Sequence, residues 1–238
     1  KITNAQTEIA NYAWTSGRML IDFYNDKKDK KNPKGEHLQA TLYLPADYAK
    51  GKTYPTVVYI YERLTQGTNN FSRPSVPGTG FNRAFYLSHG YAVLEPDIKY
   101  YINDPGMSAV WTLVPAVKAA IATGVVDPAR VALHGHSWGG YQTAFTITQT
   151  NIFKAAIPRW PIINLVSYNY MTYYPMYEEM EFGAKVHTAD WLDQLWRRSS
   201  LRYVNGVKTL DPSNMRLRRD VLRVDNLVFA PGPAASLY

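Results

Sequence analysis

Ser137 is flanked by two glycines, Gly135 and Gly139, each two positions away from it in the sequence. A Gly-x-Ser-x-Gly pentad of this kind is typical of a sharp turn between a strand and a helix. The turn is so tight that a Cβ on either glycine would collide with the flanking strand or helix. The Ser137 hydroxyl would then point outward, where it can attack an acyl carbonyl. The pentad therefore predicts nucleophilic catalysis at Ser137.

The sequence on either side of the pentad supplies the two elements that the turn requires. Residues 130–134 form a short apolar run that predicts a buried strand, and the pattern from Gly140 onward predicts a helix. The same alternation continues upstream. Apolar runs at 54–61 and 91–97 predict buried strands, and residues 81–89 predict a short helix.

The helix expected directly before the pentad covers residues 108–122, with Ser108 as its N-cap and Pro115 as the site of a local kink. The N-terminal segments 12–24 and 36–45 flank a lysine-rich loop and predict an antiparallel hairpin. Together these elements predict an α/β fold with a mostly parallel, doubly wound sheet, opened by an antiparallel hairpin and flanked by helices. In such a sheet the catalytic groups lie at the carboxyl ends of the strands.

Beyond the pentad, residues 153–158 predict a further strand. The tyrosine-rich segment 162–177 has two interpretations, a surface excursion or a cap over a hydrophobic pocket. A helix capped by Thr188 is expected to bury a set of large apolar side chains at helical spacing. These are Trp191, Leu192, Leu195 and Trp196.

Composition limits the remaining classes of function. The chain of 238 residues contains no cysteine, which excludes disulfides, thiolate metal sites and a cysteine nucleophile but does not fix the compartment. We expect one domain over residues 1–238, with no cofactor and no metal. The net charge of +7 comes from a lysine run at 27–31 and an arginine-rich segment beyond Arg197, without a nucleic-acid recognition motif, so no nucleic-acid partner is expected. We also expect no membrane span.

Residues 135–143, with residues 127–130 ahead and 153–156 behind, resemble the catalytic domain of the prolyl oligopeptidase family of serine peptidases. The resemblance is greatest to its dipeptidyl-peptidase and acylaminoacyl-peptidase branch, and it runs from about residue 12 to residue 210. It implies an α/β-hydrolase fold and transfer of an acyl group from a peptide or small acyl substrate to water through an acyl-enzyme on Ser137.

The same resemblance implies roles for three more residues. The backbone N–H of Trp138 and the hydroxyl of Tyr61 would form the oxyanion hole, although Tyr61 could instead be a tyrosine that only packs at a strand end. Loss of one such donor typically costs about 10²- to 10³-fold in rate. The Trp138 side chain and Tyr168 resemble walls of the first substrate pocket.

The chain departs from the family pattern after the nucleophile. Only one histidine, His187, follows Ser137, and no aspartate lies between them. Three glutamates do lie there, but they are too close in sequence to His187 to occupy a separate strand-end loop; they are Glu178, Glu179 and Glu181. His187 precedes a predicted helix and is expected to face solvent. Asp220 lies near the expected position of the acid, but no apolar strand leads to it, so neither residue is assigned a catalytic role.

Two explanations for this departure stay open. Residues 211–238 do not match the family and are either out of register with the true gene or the end of a truncated, catalytically incomplete hydrolase. The stretch Pro158-Arg159-Trp160-Pro161 is a second, smaller departure, since the family prefers small residues before the proline. The family's β-propeller is also missing from this sequence, and a homo-oligomer stays open. The candidate functions are a serine peptidase, a stand-alone carboxylesterase and a non-catalytic, hydrolase-like binding module.

Overall fold

The computed structural model describes residues 14–70, 80–171 and 189–209, and every structural statement below concerns these residues. Their strands form a single sheet of six strands, flanked by helices. The strands are β1 (Arg18–Tyr24), β2 (His37–Tyr43), β3 (Tyr54–Ile60), β4 (Ala92–Pro96), β5 (Val126–His136) and β6 (Ala155–Arg159). The α-helices are α1 (Arg83–Ser88), α2 (Pro105–Ala122), α3 (Trp138–Gln149), α4 (Leu165–Met171) and α5 (Ala189–Arg198). Short 3₁₀ helices lie at Thr65–Gly67 and Ser200–Gly206.

The strand order across the sheet is β1-β2-β4-β3-β5-β6. Strand β2 pairs antiparallel with both β1 and β4, whereas the β4–β3, β3–β5 and β5–β6 pairs are all parallel. The predicted α/β-hydrolase arrangement, a mostly parallel sheet opened by an antiparallel hairpin, is thus confirmed. The carboxyl ends of β3, β4, β5 and β6 lie along one edge of the sheet.

Successive side chains of β3 point to opposite faces of the sheet and pack into two separate hydrophobic cores. Val58 packs into the larger core with Leu113 and Val117 of α2. Val57 points to the opposite face, where it packs with Tyr86 and Leu87 of α1. Because successive side chains of a strand leave opposite faces, a continuous apolar run is needed to bury both. Helices α1 and α2 therefore cover opposite faces of the sheet.

Pro115 lies inside α2, which continues unbroken through it. Proline has no N–H, so the carbonyl of Trp111, four residues earlier, loses its normal helical partner. The backbone N–H of Asp26 donates to this carbonyl over 2.8 Å. The proline thus frees an acceptor that attaches the end of the β1–β2 hairpin to the core helix.

The neighbouring hairpin residues are fixed as well. Asn25 is buried, its N–H donates to the Glu36 carbonyl over 3.0 Å, and its side-chain amide donates to the Tyr101 hydroxyl over 2.9 Å. Gly35 has φ +86°, and a Cβ there would overlap the Asn25 carbonyl, so only glycine fits at this position. Both strand ends of the hairpin are therefore held in place.

Two helix predictions are corrected by the structure. Ser108 does not cap α2, which begins one turn earlier at Pro105; the Ser108 hydroxyl instead donates to the Asp104 carbonyl over 2.7 Å. In α5, Trp191 and Leu195 are buried as expected, but Leu192 and Trp196 are exposed. With 3.6 residues per turn, positions 191 and 195 face the core on one narrow stripe, and positions 192 and 196 lie outside it. Thr188 lies outside the described residues.

Within the tyrosine-rich segment, residues 165–171 form helix α4, and the rest of the segment from 172 onward lies outside the described residues. By length and composition alone, one described helix, α2, could cross a membrane; just over half of the relevant stretch is buried inside this fold. A buried core helix of a soluble protein meets the same criterion, so the expectation of no membrane span stays a prediction.

Candidate active site

Ser137 occupies the turn between the end of β5 and the start of α3, as the pentad predicts. Its φ is +55° and its ψ is −116°, a conformation that residues with a Cβ rarely adopt and that costs of order 1–3 kcal/mol. The Ser137 N–H donates to the Arg159 carbonyl over 2.9 Å, and its own carbonyl accepts from the Tyr141 N–H over 3.0 Å. Hydrogen bonds on both sides hold this half-buried serine at the edge of the sheet.

The glycines around Ser137 are required by close backbone contacts. A Cβ on Gly135 would overlap the carbonyl of Gly139, in the first turn of α3. A Cβ on Gly139 would lie 2.5 Å from the carbonyl oxygen of Ile60, at the end of β3. A Cβ on Gly140 would overlap the carbonyl of Arg159. The steric reason given for the pentad is therefore confirmed. Gly140 is required for the same reason, because its backbone packs against the end of β6.

Tyr61 follows the last residue of β3 and lies beside this turn. Ile60 pairs with Gly135 in the sheet, and the Cδ2 atom of Tyr61 lies 3.4 Å from the position of a Cβ on Gly139. The Tyr61 side chain is 37% exposed, so it lies at the rim rather than in the core. The structure thus places Tyr61 and Ser137 at the same edge of the sheet, while the role of the Tyr61 hydroxyl stays a prediction.

Trp138 is the first residue of α3, where backbone N–H groups have no partner within the helix. That N–H therefore has no acceptor inside α3, and its role in the oxyanion hole stays a prediction. The indole stacks on the Tyr141 ring at 4.7 Å and packs with Leu165 of α4. Tyr168 lies on the same short helix and is half-buried. Helix α4 thus lies beside the tryptophan, and the two predicted pocket walls stay predictions.

His134, three residues before the nucleophile, is a buried residue that the sequence analysis did not single out. Its ring packs edge-on against Tyr59 at 5.6 Å and Phe81 at 5.4 Å. Burial, and then the positive charge of Arg159, lower the pKa of His134 to about 3. The imidazole is therefore neutral at physiological pH. Its position within β5 was visible in the sequence, but its burial depends on strand pairing.

A buried ion pair joins α1 to β4 on the same face of the sheet. Arg83 lies 3.0 Å from the Glu95 carboxylate, and its guanidinium stacks on the Tyr43 ring at 4.0 Å. Burial raises the pKa of Glu95 to about 7, while Arg83 opposes that shift. Burial also raises the pKa of Tyr43 and of Tyr59. No sequence pattern indicates this pair, because its members come from separate elements.

Comparison with known proteins supports the resemblance predicted from the pentad and its surroundings. The sequence model described as the prolyl oligopeptidase family matches residues 103–217, a stretch that contains α2, the pentad and α4. Just under half of the chain therefore matches the model of this family. The predicted resemblance is thereby confirmed.

Among curated relatives, the uncharacterized peptidase YuxL of Bacillus subtilis is 28% identical over 185 residues, which cover 74% of this chain and 27% of the relative. The acylamino-acid-releasing enzyme of Arabidopsis thaliana is 30% identical over 155 residues, or 57% of this chain and 20% of the relative. The aligned part of this chain therefore spans about a quarter of the length of these relatives.

Solved structures agree on the fold. An acylaminoacyl peptidase of Pyrococcus horikoshii superposes with a TM-score of 0.64 at 16% identity, covering 87% of this chain and 33% of that one. A puromycin-hydrolyzing peptidase of Mycobacterium tuberculosis gives 0.62 at 20% identity, covering 89% of this chain and 35% of that one. At these identities the likeness supports the α/β-hydrolase fold of the family.

A family serine peptidase needs a histidine to accept the serine proton and a carboxylate to orient it. His187, the one histidine after Ser137 in the sequence, lies outside the described residues. So do Asp220 and the glutamates at 178, 179 and 181. The expectations for these residues, and for residues 211–238, stay predictions.

Proposed function

We propose that this chain is the catalytic portion of a prolyl oligopeptidase-family serine hydrolase that cleaves peptide bonds through an acyl-enzyme on Ser137. The observation that carries the proposal is the strained Ser137 backbone, with φ +55°, between β5 and α3. Strain of this kind is retained where the surrounding structure enforces it for a functional reason. The match of residues 103–217 to the prolyl oligopeptidase family model supports the peptidase class.

In the proposed reaction, the Ser137 oxygen forms a bond to the scissile carbonyl carbon, and the negative charge moves to the carbonyl oxygen. The Trp138 N–H and the Tyr61 hydroxyl donate hydrogen bonds to that oxygen. The carbon–nitrogen bond then breaks, and the amine leaves with the proton that came from serine. Water attacks the ester in the same way, which releases the acid and restores the Ser137 hydroxyl. Trp138 and Tyr168 line the pocket for the acyl group.

Fluorophosphonate labelling of the purified chain tests the proposal, because this probe reacts with activated serines. We expect labelling at Ser137 and none in the Ser137→Ala variant. Ser167→Ala, which changes an exposed serine on α4, is the matched control and should label as the unmodified chain does. Absence of labelling that depends on Ser137 would contradict the proposal and leave a non-catalytic binding module.

Substrate comparison then separates a peptidase from a carboxylesterase. A peptidase is expected to hydrolyse dipeptidyl p-nitroanilides as well as p-nitrophenyl esters. Amides have the poorer leaving group and need a proton delivered to it, whereas an activated ester does not. Ester hydrolysis without any amide hydrolysis would assign the chain to the carboxylesterases.

A further inference from the structure

Two buried arginines in the described residues have different surroundings. Arg83 is 9% exposed and is paired with the Glu95 carboxylate. Arg159 is 7% exposed, yet its guanidinium makes no ion pair or hydrogen bond with any described residue, and its Nε is buried without an acceptor. A buried cation without a partner is strongly unfavourable. Such a group is expected where a bound molecule supplies the missing anion.

Arg159 lies directly beside the nucleophile. It ends β6, and its carbonyl accepts the hydrogen bond from the Ser137 N–H. The sheet register pairs Arg159 with His136, the residue before Ser137. Paired strands lie about 4.8 Å apart, and paired side chains leave the same face of the sheet. The guanidinium therefore shares a face with the His136 ring, one strand away from the serine.

The surroundings of Arg159 provide a second buried polar atom without a partner and an exposed aromatic wall. The Nδ1 atom of His136 is also buried without a hydrogen-bond partner. Trp160 has φ +48°, is 66% exposed and places its ring 5.3 Å from the His136 ring. Farther along the same face, the positive charge of Arg159 acts to lower the pKa of His134 and that of Tyr59. Arg159 is therefore close enough to both rings to interact with them electrostatically.

We infer that Arg159, together with His136, binds a carboxylate of the substrate next to the acyl group presented to Ser137. A planar guanidinium binds both oxygens of a carboxylate through parallel hydrogen bonds. One unpaired arginine supplies one positive charge, which fits a carboxylate better than a phosphate dianion. The location of the acyl group rests on the proposed function, but carboxylate binding itself does not require turnover.

Binding to the Ser137→Ala chain tests the inference without any catalysis. The probes are N-acetyl-glutamyl amide and N-acetyl-glutaminyl amide, which have nearly the same shape and differ in one negative charge. We expect the glutamyl ligand to bind at least tenfold more tightly, as measured by calorimetry or tryptophan fluorescence. The added change Arg159→Gln should abolish this preference. Arg130→Gln, which changes an exposed arginine in the first half of β5, should retain it.

Equal binding of the two ligands, including no binding of either, would overturn the inference, as would a preference that survives Arg159→Gln. A carboxylate from the chain itself is the other source of the same chemistry. In that case Arg159→Gln lowers the melting temperature and the glutamyl preference is absent; with substrate as the source, the melting temperature of the free chain does not fall. If no fluorophosphonate labels Ser137 in the unmodified chain, the proposed function fails, while the binding preference still decides the role of Arg159.

Discussion

Ser137 is held in its unusual backbone conformation by contacts from three strands. Its own strand β5 leads into the turn, the Ile60 carbonyl of β3 leaves room only for a hydrogen at Gly139, and the Arg159 carbonyl of β6 accepts the serine N–H. The nucleophile is therefore positioned by the sheet itself, and its geometry depends on glycines that take no part in the chemistry.

Gly139→Ala is expected to disturb this geometry. The new Cβ would lie 2.5 Å from a backbone oxygen that cannot rotate away, so α3 must shift relative to β3. Overpacking of this kind typically costs about 1–3 kcal/mol. Urea denaturation should show that loss, and fluorophosphonate labelling of Ser137 should fall sharply. Gly80→Ala is the control, since nothing lies within 4 Å of its Cβ position and its φ is not positive; equal effects of the two changes would refute the steric argument.

Tyr61→Phe tests the oxyanion donor. The ring remains beside the turn but the hydroxyl is lost, so we expect the rate of ester hydrolysis to fall about 10²- to 10³-fold with little change in KM. Tyr24→Phe, which removes an exposed hydroxyl from β1, should leave the rate unchanged. An unchanged rate in Tyr61→Phe would mean that this tyrosine only packs.

At the scale of single residues, the pentad was predictable because its requirements are local. The glycines at 135 and 139 are demanded by the backbone of a few neighbouring residues, and their spacing is visible in the sequence. Arg159 and His136 are not local in this sense. Their burial and proximity follow from the β5–β6 register, and no pattern within either strand indicates it.

At the scale of elements, α4 and α5 are joined through one buried hydroxyl. The Ser199 hydroxyl donates to the Leu195 carbonyl over 2.8 Å and accepts from the Leu165 N–H over 2.9 Å. Because Leu165 begins α4, this bond satisfies one of the N–H groups that the start of a helix leaves unpaired. The same two helices carry Tyr168 and the buried Trp191, beside the Trp138 ring.

Ser199→Ala is expected to destabilise the chain by about 1–3 kcal/mol, because the Leu165 N–H stays buried without an acceptor. The loss should be measurable as a lower urea midpoint, and hydrogen exchange should accelerate in α4. Ser167→Ala on the exposed side of α4 should change stability by less than about 0.5 kcal/mol. An equally small effect at Ser199 would show that α4 is held by its apolar contacts alone.

The elements themselves were largely predictable, with errors where a tertiary contact decides the boundary. Apolar patterns identified every strand of the sheet. A strand buried on one face alternates apolar and polar residues, and a strand buried on both faces is a nearly continuous apolar run. Ser108 was misassigned as a cap because its hydroxyl bonds to the carbonyl of Asp104, the residue just before the helix, a choice open to any serine near a helix start. The use of the Trp111 carbonyl by Asp26 could not be predicted, since it joins two distant segments.

At the scale of the whole molecule, two buried groups give stability opposite dependences on pH. The pKa of Glu95 is raised to about 7 from an unfolded value near 4.5, so its contribution to stability is lost as the pH rises through 7. The pKa of His134 is lowered to about 3 from near 6.5, so its contribution is lost as the pH falls toward 3. Between pH 4.5 and 6.5 the two effects oppose each other.

In the Glu95→Gln variant, the pH dependence of the free energy of unfolding that comes from His134 should become visible, because the opposing contribution of Glu95 is removed. The rise in the pKa of Glu95 corresponds to about 3 kcal/mol. The unmodified chain should lose about that much free energy of unfolding through Glu95 between pH 4.5 and pH 8. The variant should not, so the difference in its favour should grow by about the same amount. Urea denaturation at several pH values gives the difference in free energy of unfolding. The exposed Glu62→Gln should show a difference that does not change with pH. A constant difference for Glu95→Gln as well would mean that the buried carboxyl does not titrate in this range.

The attachment of the β1–β2 hairpin also makes its tip a place for protein engineering. Asn25 and Asp26 are fixed by Glu36, Tyr101 and Trp111, so chain beyond them can lengthen without pulling on the sheet. A short affinity tag or a fluorescent label inserted within the exposed lysine loop, between residues 28 and 29, should leave the melting temperature nearly unchanged. Because the start of β2 pairs with the end of β4, this tip lies at the same edge of the sheet as the Ser137 turn, and β4 and β3 lie between β2 and β5. Such a label would therefore report from the catalytic edge of the sheet, with two strands between its hairpin and the nucleophile's strand.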